Sequence, residues 1–334
     1  MVVAGRASLQ DLGRHGAEQL GLSVNGAADQ LSAMEANALV GNGLDAVVLE
    51  LLVFDVELLA TSVALVAVAG AEHQLTVGGR DVLPHQPVVV LPGERVRVHL
   101  LGRGARCYLA VNGGFAAPRL LGSAAPDPIV GFGDLVGVGD RLPFRSRFGG
   151  LSHPFSGIPL FRFPRTARRW PAEWVVEMTA APVAGGVADP DVLCSGYVVD
   201  TMSDHVGLRL GGAALLPRPG GEPVSRGVPV GAVEVPPSGQ PIVLLRGRLV
   251  TAGYPVAAVV TTSSLALLGQ ARPGQRLTFR WQERGAAVLR WRRDLAQIAD
   301  LADAVARCFT AVGLGEVLVD RMAEADPVRG VSFS

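Results

Sequence analysis

The chain has 334 residues, 49% apolar content and a formal net charge of zero. That is room for two cored domains, and it leaves no electrostatic footprint for nucleic acid or an anionic membrane. All 30 basic residues are arginine, so a Schiff-base lysine, a Walker-type phosphate lysine and a biotin-accepting lysine are excluded.

The N-terminus, MVVAGRASLQDLGRHG, has no apolar h-region, so no signal peptide is expected. Residues 9–29, LQDLGRHGAEQLGLSVNGAAD, set Gln10, Asp11, Arg14, Asn25 and Asp29 among four glycines. Glycine allows positive φ and close backbone approach, so this segment reads as a polar loop built to present groups. Asp29 caps an expected helix over 30–40, with Leu31, Met34, Ala38 and Leu39 near one face and Gly41 just past its end.

Short apolar or β-branched runs then follow at 47–53, 63–69, 86–91, 95–100 and 107–111, bounded by Gly or Pro. Their spacing of roughly ten residues predicts an all-β sandwich or barrel. The apolar run near 58–70 is too short for a bilayer, which takes roughly 20 residues. Residues 143–174 are rich in Arg, Pro and Phe and read as a connection. Strand-like runs return at 174–178, 197–199, 208–210, 231–235, 242–245, 257–261 and 276–281. Helical spacing follows at 289–306, then a helix or loose tail over 307–334.

A turn-plus-strand pattern recurs at Pro92-Gly93-Glu94-Arg95-Val96, Val138-Gly139-Asp140-Arg141-Leu142 and Pro273-Gly274-Gln275-Arg276-Leu277. Cys107, Cys194 and Cys308 are far apart, so buried free thiols in a reducing cytoplasm are expected rather than a disulfide framework. No His, Cys and carboxylate cluster has metal-ligand spacing, and no metal is expected.

In family order, several blocks resemble allophanate hydrolase subunit 2, the KipA family. They are Gln10-Asp11-Leu12-Gly13-Arg14, Gly26-Ala27-Ala28-Asp29, Asn37 to Asn42, Leu49-Glu50, Gly104 to Gly114, Leu121-Gly122-Ser123, Ser203-Asp204, Gly231 to Ile242 and Gly253-Tyr254-Pro255. This family includes the C-subunit of bacterial ATP-dependent 5-oxoprolinase and the matching half of the urea carboxylase carboxyltransferase domain.

The resemblance implies a mainly β fold with a few helices and β-barrel domains, at least one of them cyclophilin-like. The expected division is an α/β-type unit over 1–95, a cyclophilin-like barrel over 96–285 and a helical tail over 286–334. It also implies a cytoplasmic hetero-oligomer with a subunit 1 or KipI-like partner, and a LamB/YcsF-like subunit as a further partner. The substrate would be a small amide or lactam. No cofactor is expected on this chain; ATP or carboxybiotin would act through partner subunits. The function expected first is 5-oxoprolinase-type amide hydrolysis at a site shared with the partner. The alternatives are a non-catalytic regulatory paralogue or a carboxyltransferase half.

The chain departs from the family at several places. Ser123-Ala124-Ala125-Pro126-Asp127 replaces a Ser-Arg-Ser-Thr-Asp run, and His205 and Val206 replace Arg and Met. Glu234 stands where Gln is usual, and Gly247, Leu249 and Val250 replace an Asp, a Gln and a Thr. Val256 stands where Lys is frequent.

Asp11, Glu50 and Asp204 are the candidate catalytic carboxylates. Asp11 and Arg14 could pair with one another or hold a substrate carboxylate, for which arginine's planar fork is suited. Glu50 lies in an apolar strand, where burial unpaired would make a general base and exposure a sheet-edge residue facing water. Asn112-Gly113-Gly114 is either an oxyanion-type pair of N–H groups or a hairpin turn. Ser203-Asp204-His205 has triad residue types, but triads are recognised in space, so Asp204 with Arg209 reads better as an anion clamp. Gln10, Arg14, Asn112, Arg209, Gln240 and Tyr254 complete the candidate substrate-binding set.

Overall fold

The computed structural model describes residues 2–83, 85–146, 148, 161–163, 170–171, 173–181, 186–218 and 224–318. Two β units result, linked through helices and loops. The first uses β1 (Val2–Gln10), β2 (Val48–Leu59), β3 (Ala64–Gly70), β4 (His73–Val77), β5 (Arg80–Val82), β6 (Val88–Val90), β7 (Arg95–Leu100) and β8 (Arg106–Val111). These lie in the order β5-β4-β7-β2-β8-β3-β6, with β1 also on β2.

β2 serves several neighbours because it kinks. Val53 holds φ +44°, an outlier for a β-branched residue. Residues 49–52 pair with β8 and residues 55–59 with β7, one half on each side of that kink. β3 is buried throughout: Ala64, Val66 and Val68 face one core, while Leu65, Ala67 and Ala69 face another. Two buried faces explain its unbroken apolar run.

Helix α1 (Gln30–Leu39) covers the second of those cores. Asp29 caps it as expected, accepting from the Ser32 N–H at 3.2 Å and the Ser32 hydroxyl at 2.6 Å. The same core takes Ile298, Leu301, Val305 and Phe309 of the C-terminal helix.

The second unit is a closed barrel of β9 (Trp174–Ala180), β10 (Tyr197–Val199), β11 (Gly207–Gly212), β13 (Ala232–Glu234), β14 (Ile242–Leu244), β16 (Val256–Val260) and β17 (Arg276–Trp281). Its interior holds Val176, Met178, Leu208, Leu210, Val233, Val243 and Phe279. A separate two-stranded flap, β12 (Arg226–Gly227) with β15 (Thr251–Ala252), lies outside the barrel. Helix α2 (Thr262–Leu268) returns the chain toward the first unit, and α3 (Arg284–Ala311) follows β17.

The mainly β, barrel-based architecture matches the sequence expectation, and the expected boundaries are corrected. A division at residue 95 would cut β7 and β8 from the sheet in which they pair with β2, β3 and β4. Residues 286–311 belong not to a tail but to a 28-residue helix whose apolar face packs against α1. The strands β1, β4 and β5 and the helix α2 were not foreseen. Of the three turn-plus-strand repeats, those at 92–96 and 273–277 feed β7 and β17, whereas 138–142 feeds no strand among the described residues. The connection at 143–174 lies largely outside the described residues, as does the chain after 318. Cys107 is buried as expected, Cys308 is half-buried and Cys194 is exposed, all with free thiols. Among the described residues, no helix is long and apolar enough to cross a membrane.

Candidate functional site

The barrel's outer face carries a second, smaller core of Val228, Ala232, Leu244 and Val256, roofed by the flap. Beside it a cleft of about 390 Å³ opens between barrel wall and flap. Asp204, Arg209, Glu234, Ile242, Leu249, Thr251 and Tyr254 are among its lining residues.

Strand register explains the grouping. Arg209 of β11 and Glu234 of β13 both pair with Ile242 of the intervening β14. Directly paired residues share a sheet face, so the three side chains stand in a row on the outer wall. The register of β13 against β16 shifts between Val233 and Glu234, and irregularities of this kind re-aim side chains.

Glu234 is 4% exposed, and its Oε1 is buried with no hydrogen-bond partner among the described residues. Burial pushes its carboxyl up to about 7, with Arg226 pulling the other way. Arg209 is exposed at the mouth, while its backbone is fixed by the Ser203 hydroxyl, which accepts from Arg209 N–H at 3.0 Å. Asp204 caps its own turn, its Oδ1 accepting from Val206 N–H at 2.8 Å and Gly207 N–H at 3.1 Å. Tyr254, 42% exposed, edges the opening. A cation, a carboxylate, a neutral-leaning carboxyl and a phenol on an apolar floor suit a small polar molecule.

The glycine-rich segment lies in the seam between the two units. Gly13 and Gly26 meet so closely that a Cβ on Gly26 would stand 2.6 Å from Gly13 N. Arg14 is 1% exposed and pairs with Asp127 at 3.2 Å. Its other nitrogen donates to Ala125 O, and Asn25 Nδ2 donates to Asp127 at 3.0 Å. Asp11 does not pair with Arg14. It accepts from Gly13 N–H at 2.9 Å, the Ser123 hydroxyl at 2.6 Å and Ala124 N–H at 2.7 Å. The segment also braces the far wall: Ser23 Oγ donates to Arg248 O at 2.7 Å and Asn25 N–H to Arg246 O at 2.9 Å. Arg246 replies from its guanidinium to Asn25 O at 2.8 Å and Leu12 O at 2.7 Å, and burial lowers its pKa to about 10.

Glu50 belongs to the same seam. Its Oε2 accepts from the Tyr108 hydroxyl at 2.8 Å and Ala28 N–H at 3.0 Å, with Arg106 3.5 Å from Oε1. Tyr108 is fully buried, which drives its phenol well above the usual range, and its oxygen accepts from Asp29 N–H at 2.7 Å. Gln10 donates to Ser8 Oγ at 3.0 Å beside β2. Asn112 donates to Val40 O at 2.9 Å and Val317 O at 3.0 Å, tying the end of α1 to the turn that follows α3.

Of the nine expected residues, the structure therefore brings Asp204, Arg209 and Tyr254 together. Asp11, Arg14, Glu50, Gln10 and Asn112 sit in packing or seam networks away from the cleft lining. Gln240 bonds both backbone groups of Gly212, at 3.0 and 3.3 Å, and does not line the cleft. The Asn112-Gly113-Gly114 turn offers no paired oxyanion donors. Gly113 N–H already donates to Asn42 Oδ1 at 2.7 Å and Gly114 N–H to Val111 O at 2.9 Å. Ser203, Asp204 and His205 form no triad, because Ser203 and Asp204 serve backbone groups of their own loop.

Glu234 was missed as a site residue. Its signal was a lone carboxylate inside Ala232-Val233-Glu234-Val235, at a position where the resemblance leads one to expect Gln. Among the described residues no group of three or more His, Cys, Asp or Glu is placed to hold a metal ion.

Comparison with known proteins agrees with this architecture. The profile of the carboxyltransferase domain, subdomain A and B, matches residues 20–281. The 5-oxoprolinase C-subunit of Escherichia coli is 31% identical over 277 residues, covering 81% of this chain and 87% of that protein. The protein of the same name from Haemophilus influenzae is 28% identical over 296 residues, covering 83% and 88%. The crystal structure of TTHA0988 superposes with a TM-score of 0.71 at 33% identity, and this chain, 83% covered, spans 55% of that one.

Proposed function

The chain belongs to the carboxyltransferase domain family, subdomains A and B, and on that premise we propose that it is one subunit of an ATP-dependent amide-cleaving enzyme of the 5-oxoprolinase type. Two relatives named as the C-subunit of 5-oxoprolinase match it over more than 80% of both chains, which supports this reading. The observation that carries it to a site is the cleft of Arg209, Glu234 and Tyr254 on the barrel's outer wall.

Arg209 is the group suited to a ligand carboxylate, since a guanidinium matches a carboxylate's two oxygens. Glu234 and Tyr254 supply hydrogen-bonding groups at the other end. No lysine is present to carry ATP phosphates or biotin, so activation falls to partners, a KipI-like subunit 1 and a LamB/YcsF-like subunit. The cytoplasm is the matching compartment for an ATP-using hetero-oligomer.

Two further readings each rest on an observation. The family's description as a carboxyltransferase domain favours use with carboxybiotin from a partner enzyme. The altered wall at Leu249 and Val250 favours a non-catalytic, KipA-like binding paralogue, because a site built on hydrogen bonds loses heavily when partners disappear. Reconstitution separates the three. Mixed with its partner subunits, the chain is expected to support ATP-dependent formation of glutamate from 5-oxoproline. No turnover from a complete, folded complex would overturn the first reading.

A further inference from the structure

The charged and phenolic groups of the cleft wall have defined places, with one exception. Asp204 caps a turn, Arg209 stands in solvent at the mouth, and Tyr254 edges the opening. Among the described residues of the lining, Glu234 alone is buried with an unpaired side-chain oxygen. An unsatisfied buried oxygen is unfavourable, and a ligand donor would satisfy it.

The surroundings of Glu234 favour its neutral acid. The flanking strands bring Ile242, Val243 and Leu244 on one side and Val256–Val260 on the other, none of them titratable. Arg226 of the flap is the opposing charge, and Asp204, Arg209 and Tyr254 are the other titratable groups on the lining. A neutral carboxyl has a donor and an acceptor side by side. That pair matches the edge of a cis amide, which offers an N–H beside a C=O.

We propose that Glu234, buried on the cleft wall with an unpaired oxygen, is the specificity-determining residue of the cleft, holding the edge of a lactam, primary amide or urea through two parallel hydrogen bonds. Its O–H donates to the ligand carbonyl, and its C=O accepts from the ligand N–H. This deepens the functional reading above and rests on its placing of the ligand in this cleft. The carboxylate form has no proton to donate, so binding weakens as Glu234 ionises. The Gln usual at this position in the resembling family has the same donor–acceptor edge without the titration.

The test uses the full chain alone, without partners or ATP, and two neutral probes, 2-pyrrolidinone and its N-methyl derivative. Binding is measured by protein-detected NMR titration at pH 5.5 and 8.5. With a midpoint near 7, about one part in 30 of Glu234 stays neutral at pH 8.5. Affinity for 2-pyrrolidinone is therefore expected to fall about 30-fold between the two pH values. Glu234→Gln is expected to bind equally at both, and Glu234→Leu and the N-methyl probe are expected to lose binding. Equal wild-type affinity at both pH values, an unchanged pH dependence in Glu234→Gln, or no binding at pH 5.5 would each overturn the proposal. None of these readouts needs turnover, so failure here is distinguishable from failure of the reconstituted complex to cleave 5-oxoproline.

Discussion

Gln270, just past α2 in the second unit, donates from Nε2 to Asp29 Oδ2 in the first unit at 2.9 Å. Its Oε1 meanwhile accepts the Ala105 and Arg106 N–H groups, each at 2.9 Å. One fully buried side chain thus joins the α1 cap, the start of β8 and the second unit.

Gln270→Leu is expected to strand two buried N–H groups. Each unsatisfied buried group costs about 1–3 kcal/mol, so a loss of about 3 kcal/mol in urea unfolding is expected. A loss under about 1 kcal/mol would show that the seam does not depend on this residue.

Arg14→Ala is expected to act on stability first. Removing one partner of a buried ion pair typically costs about 3–5 kcal/mol, because the other charge stays buried and uncompensated. Asp127 is that charge, also bonded by Asn25. Arg14→Ala combined with Asp127→Asn is expected to recover part of the loss. Full stability of Arg14→Ala in denaturant melts would refute a structural role for this pair.

Glu234 makes stability depend on pH with a definite sign. Its folded pKa, raised from 4.5 to about 7, means the native state holds a proton that the unfolded chain has released. Stability therefore falls as pH rises from about 4.5 to about 7, by about 3 kcal/mol at most, and is level beyond. In Glu234→Gln this component is expected to vanish, so the variant gains on the wild type as pH rises through that window. Parallel wild-type and Glu234→Gln curves in melts from pH 4 to 8 would show that burial does not hold the proton.

The strand rhythm was readable from sequence because alternation and Gly or Pro boundaries are local signals, as at β7 and β17. β3 gave only an apolar run, since both its faces are buried. α2 hid because it opens with Thr262-Ser263-Ser264, whose residues favour caps and turns more than helix interiors. The cleft was half readable: Asp204 and Arg209 lie together at β11, but only the pairing of β11 and β13 with β14 sets Arg209 beside Glu234, and Tyr254 comes from a later loop. Asp11, Arg14 and Glu50 misled for a physical reason. Polar residues among glycines look alike whether they meet a ligand or a second unit. Two departures from the family fall side by side: Gly247 leaves no room for a Cβ against the His205 ring, and its N–H donates to His205 O at 3.0 Å.

The most direct test of the cleft is the steady-state kinetics of the reconstituted complex carrying Arg209→Ala. Arg209 is exposed, so the unfolding curve is expected to stay unchanged. A lost charge-assisted hydrogen bond is worth about 1.5–3 kcal/mol, so KM for 5-oxoproline is expected to rise at least about tenfold. Wild-type KM and kcat in an active Arg209→Ala complex would contradict a ligand site on this wall of the barrel.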